Sequence, residues 1–116
     1  MSISRVTIGN PTKASDINAI IPLIIRKSIS HVITDTGGRE IYIVSPTAGS
    51  TITITLPTMG ANVNRELTFI HGTTAAGLVK IDGEGSELIN GSSYVYMRSK
   101  YDSITIIGSS VEWSVK

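Results

Sequence analysis

The chain has 116 residues, 41% of them hydrophobic and only 16% charged, with ten basic against nine acidic residues for a formal net charge of +1. That length suits one domain, and the near-neutral balance leaves no broad basic face for nucleic acid. The lack of cysteine excludes disulfides, thiolate nucleophiles and sulfur-ligated metals.

In chain order, residues 1–9 alternate Ile3, Val6 and Ile8 with polar neighbours, a short strand stopped by Gly9-Asn10-Pro11. Ser15 then caps a short helix with Asp16 against its positive end and Ile17, Ile20 and Ile21 on one side. Pro22 lacks an amide donor and clashes with the carbonyl of Asn18, so the helix ends by Ile21. The most apolar run, from Ile17 to Ile25, is interrupted by Asn18 and Pro22 and falls short of the ~20 residues a bilayer span needs. Neither a signal peptide nor a membrane partner is expected.

Beyond Leu23 the chain reads as extended, and from Ser28 as a meander. Strands are predicted over residues 31–34, 40–45, 51–56, 66–71, 78–82, 87–89, 93–98, 103–107 and 111–115, separated by turn-forming Gly, Pro and Asn. Asn90-Gly91 is the strongest turn signal, because both residues tolerate the positive φ of a type I′ hairpin. Such even spacing predicts an all-β fold, an antiparallel β-sandwich or barrel-like meander with a short N-terminal helix. Trp113 alternates with Val111 and Val115 and is placed in the core.

The runs Ile41-Tyr42-Ile43-Val44 and Ile104-Thr105-Ile106-Ile107 are apolar on nearly both faces, which calls for cover from two sides. Together with Ser- and Thr-rich strands and few charges, this points to a homo-oligomer. Ile17, Ile20, Ile21, Leu23 and Ile24 are its candidate interface residues, in an N-terminal segment taken as residues 1–28, with the β-domain over 29–116.

Candidate chemistry is sparse. His31 and His71 stand apart from any second ligand at metal spacing, although a trimer could bring three copies of one of them round an axis. Asp82-Gly83-Glu84-Gly85 lacks the dense oxygen donors of a calcium loop and reads as a tight turn. Tyr94 and Tyr96 share a strand face with Arg98 next along it, a set able to stack on a sugar ring or to anchor a protein contact. No catalytic, metal or cofactor site is assigned, and no enzyme activity is expected.

Several motifs recur in a known order: Ile33-Thr34-Asp35-Thr36-Gly37-Gly38, Thr53-Ile54-Thr55-Leu56-Pro57, Glu66-Leu67-Thr68-Phe69-Ile70, Val79-Lys80-Ile81-Asp82-Gly83, Ile89-Asn90-Gly91 and the closing run from Tyr101 to Trp113. Over residues 28–116 this order resembles a small β-domain of bacteriophage tail fibres, tail spikes and other virion appendages. The opening Val6-Thr7-Ile8-Gly9 and the run from Ala14 to Ile20 similarly look like the attachment elements of such proteins. The resemblance implies a homotrimeric structural protein located in the virion, with its N-terminal element bound to a capsid or tail protein. It carries over no catalytic residue. Members of that group usually continue into shafts or receptor-binding tips, so the expectation here is a short fibre, head fibre, decoration or adaptor, with recognition of a bacterial surface glycan as the alternative.

Overall fold

The computed structural model describes residues 23–116. Among these residues the alternation of β-branched and polar side chains resolves into nine strands: β1 (Leu23–Lys27), β2 (His31–Val32), β3 (Glu40–Val44), β4 (Thr51–Thr55), β5 (Glu66–His71), β6 (Leu78–Asp82), β7 (Tyr94–Met97), β8 (Ser103–Ile107) and β9 (Ser114–Val115). They form two sheets. Sheet A has the order β1-β3-β5-β8-β9 and sheet B the order β2-β4-β6-β7.

The first six strands alternate between the sheets, so the chain winds in flattened coils. Each strand lies parallel to the one a coil earlier: Leu23 faces Glu40 and Glu40 faces Leu67 in sheet A, while His31 faces Ile54 and Thr51 faces Leu78 in sheet B. From the second coil to the third the step is the same 27 residues in both sheets. Backbone hydrogen bonds carry the stacking beyond the strands: Ser45 N–H donates to the Lys27 carbonyl at 2.9 Å, Gly72 N–H to Val44 at 2.8 Å and Leu78 N–H to Ser50 at 2.9 Å. One corner needs a glycine for this. A Cβ on Gly77 would lie 2.5 Å from the Thr47 carbonyl oxygen.

Antiparallel strands then close the coils. In sheet B, β7 runs back along β6; in sheet A, β8 runs back along β5 and β9 along β8. The expected antiparallel meander is thereby corrected to two mixed sheets. The physical reason lies at the turns after Val44 and His71, which carry the chain across the core instead of reversing it within one sheet. Asn90-Gly91 does reverse the chain, with φ of +48° and +85° and paired hydrogen bonds between Ile89 and Ser92. The strand expected over 87–89 reduces to bridges from Ile89 to Ser92 and Trp113. Among the described residues the helical element is a 3-10 turn at Met59–Ala61. The helix expected around residues 15–21 and the strand over 1–9 lie outside the described residues. Residues 23–27, on the N-terminal side of the expected boundary at 28, pair with β3 along their whole length.

The core fills the space between the sheets. Tyr42, Val44, Leu67, Phe69 and Ile106 from sheet A meet Ile52, Ile54, Val79, Ile81 and Met97 from sheet B, with Ile33, Leu56, Ile89 and Trp113 sealing the ends. Tyr42 stacks on Phe69 at 5.6 Å between ring centroids. Each such aliphatic side chain contributes roughly 1.5–3 kcal/mol through removal from water. Trp113 is fully buried as expected, although Val111 and Val115, with which it alternates, are exposed, and its indole N–H has no hydrogen-bond partner among the described residues.

Candidate functional site

Parity places one set of side chains outside the core on each sheet. In sheet B, Val79 and Ile81 point inward, so Lys80 and Asp82 point outward. The pairing sets Thr53 beside Lys80 and Lys80 beside Tyr96, with Thr55, Asp82 and Tyr94 forming the neighbouring row. Two tyrosines, two hydroxyls, a cation and an acid therefore share one surface.

Tyr94 and Tyr96 meet edge to face with centroids 5.2 Å apart and stay 44% and 37% exposed. This geometry suits the ring quadrupoles and adds about 0.5–1.5 kcal/mol beyond burial. The Lys80 ammonium lies 4.6 Å from the Tyr94 centroid, and the Arg98 guanidinium carbon 5.2 Å from that of Tyr96. Arg98 is held just past the strand, where Asp102 Oδ2 accepts hydrogen bonds from the Arg98 and Ser99 amides at 3.1 and 3.0 Å. The structure thus brings Tyr94, Tyr96 and Arg98 together as their spacing predicts. It adds Lys80, which the sequence reading passed over; its alternation with Val79 and Ile81 was the signal.

The other candidates resolve differently. Leu23 and Ile24 are exposed, at 48% and 60%, whereas Ile17, Ile20 and Ile21 lie outside the described residues. His71 is fully buried, with Nε2 2.9 Å from the Gly77 carbonyl and Nδ1 facing the Thr73 amide at 3.5 Å, so its ring braces a corner of the coil. His31 packs beside Tyr42 with 5.9 Å between centroids. Burial lowers its pKa, assisted by the charge of Lys27 and opposed by that of Glu40. Among the described residues, no three of His, Cys, Asp and Glu gather as a metal site. In the Asp82-Gly83-Glu84-Gly85 run, Asp82 ends β6 and the turn follows over residues 84–87, closed by the Glu87 amide donating to the Glu84 carbonyl at 3.0 Å.

A surface cavity of about 370 Å³ lies among Asp35, Gly37, Arg39, Asn62, Asn64 and Arg65. Its buried guanidinium is committed internally: Arg65 donates to the carbonyls of Gly38 and Thr34, to Asn62 Oδ1 and to Glu40 Oε1 at 2.7–2.9 Å. This cluster ties the loop between the first two coils to the start of β5. Among the described residues, no helix is long and apolar enough to cross a membrane.

No protein-family model, no curated protein and no solved structure matches the chain.

Proposed function

We propose that the protein is a structural component of a bacteriophage particle, a short fibre, decoration or adaptor that assembles as a homotrimer and attaches to capsid or tail through residues 1–28. In this reading it is not an enzyme. The observation that supports it is the outer face of sheet A. There Ile24, Ile41, Thr68 and Thr105 follow one another across the strands, flanked by a row of Arg26, Ile43, Ile70 and Ser103, with Ile107 at the side. The two threonine hydroxyls bond each other at 2.9 Å and so satisfy one another within the face. Ile24 is exposed on this face and Ile41, Ile43, Ile70 and Ile107 are only partly buried, and copies of the chain packed about an axis would cover them. The resemblance of its motif order to that of virion appendage domains supports the same assignment.

Light scattering on the purified chain tests the association. A trimer is expected, and Ile24→Asp, at an exposed position, is expected to yield folded monomers. A wild-type chain that stays monomeric at high concentration would overturn the reading. Mass spectrometry of purified particles, with the chain expected among their proteins, tests the location.

A second reading concerns the opposite surface. The exposed Tyr94–Tyr96 pair, with Lys80 and Asp82 on the next strand and the hydroxyls of Thr53 and Thr55 one strand further across, favours a saccharide platform, because sugar C–H faces stack on aromatic rings while their hydroxyls bond to polar side chains.

A further inference from the structure

We propose that the outer face of sheet B binds an acidic polysaccharide, with Lys80 and Arg98 reading the carboxylates of uronic-acid-type units and the Tyr94 and Tyr96 rings carrying their sugar faces. The inference rests on the saccharide reading of this surface and specifies its ligand class.

The charge arrangement carries the specificity. Lys80 and Arg98 approach the two tyrosine rings, and neither forms an ion pair among the described residues, whose salt bridges join Arg39 and Lys116 to Glu66, and Arg65 to Glu40. Each cation thus sits over a tyrosine ring without an acidic partner among the described residues, with carboxylate-binding capacity left over. A guanidinium offers a planar fork that matches a carboxylate in two hydrogen bonds, while the ammonium acts as a point charge. Each sits over a ring, so a carboxylated sugar that takes the cation's place on that ring face can pair its acid with the displaced charge. Asp82, opposite Tyr94 in the pairing, is the one acid on these rows. It accepts hydrogen bonds from sugar hydroxyls and, as a like charge, repels a densely charged strand from the Tyr94 end. That favours a chain with one charge per one or two sugar units over a polyphosphate backbone, whose charges come closer together.

Calorimetric titration of the purified full chain with polygalacturonate fragments, neutral maltooligosaccharides of equal length and single-stranded DNA separates the possibilities. The acidic fragments are expected to bind at least about tenfold more tightly than the neutral ones, with an affinity that falls as salt is raised. Lys80→Gln combined with Arg98→Gln, both at the protein surface, should abolish that preference while an unchanged circular dichroism spectrum reports an intact fold. Tyr96→Ala should weaken acidic and neutral fragments alike. Equal binding of acidic and neutral fragments would overturn the charge assignment and leave the saccharide platform standing. Binding of no saccharide would overturn both. DNA binding as tight as that of polygalacturonate would overturn the ligand class, marking the face as a general polyanion surface.

Discussion

Arg65 and Glu40 meet at 2.7 Å in the most buried ion pair among the described residues, with side chains 5% and 13% exposed. The same carboxylate oxygen accepts the Tyr42 hydroxyl at 2.7 Å, and this bond together with burial drives the Tyr42 pKa upward, burial being the larger cause. The pair therefore links a core aromatic to the loop that joins the first two coils.

Arg65→Ala should destabilise the fold by about 2–4 kcal/mol, because it leaves the partly buried Glu40 carboxylate, the buried Asn62 side chain and two backbone carbonyls without their donor. Arg65→Lys should recover only part of this, since a point charge on a flexible stem cannot reproduce a fork with donors in four directions. Urea unfolding followed by Trp113 fluorescence measures both. A loss below about 1 kcal/mol for Arg65→Ala would show that the cluster is not a structural anchor.

The corner glycines should be unequal. Gly77→Ala forces a Cβ to 2.5 Å from the Thr47 carbonyl oxygen and 2.7 Å from Pro46 Cβ, atoms of the adjacent coil that cannot move without unstacking it. A loss of roughly 1–3 kcal/mol is expected, equivalent to a fall of several degrees in Tm. Gly60→Ala meets nothing within 4 Å and should change Tm little. Equal thermal melts for the two variants would contradict the tight stacking of the coils.

Stability should decline on mild acidification through His31. Its folded pKa lies below the ordinary value of 6.5. Between the two values the unfolded chain binds more protons, so stability rises with pH there. The contribution is fully present above about 6.5 and is lost as pH falls through the folded value. His31→Gln should flatten the slope of Tm against pH between about 5 and 7. A slope unchanged by the substitution would assign the effect to other groups.

Strand positions were legible locally. The segments 66–71, 78–82 and 103–107 coincide with β5, β6 and β8, because alternation of apolar and polar side chains within one strand suffices to define a packed face. The Asn90-Gly91 reversal was legible for the same reason, since left-handed φ is a property of two residues. Tyr94, Tyr96 and Arg98 were legible as a set from spacing along one strand, whereas their neighbour Lys80 belongs to a different strand and enters only through the β6–β7 register. The coil repeat was the larger omission. A step of 27 residues pairs Tyr42 with Phe69, Ile43 with Ile70, Ile52 with Val79 and Ile54 with Ile81, two pairs identical and two alike in shape, but it also pairs Val44 with His71 and Thr53 with Lys80, which are unlike.

By itself, then, the order of residues determined where the backbone extends, where it turns and which side chains seek the interior, all set by contacts within a few positions. Which strand lies against which was decided only in three dimensions. A β-strand edge offers the same amide and carbonyl groups to any neighbour, parallel or antiparallel. Stacking coils through corners at Ser45 and Gly72 wins here because it covers Tyr42, Val44, Phe69 and His71 from the opposite sheet and continues the backbone ladder from one turn of the chain to the next.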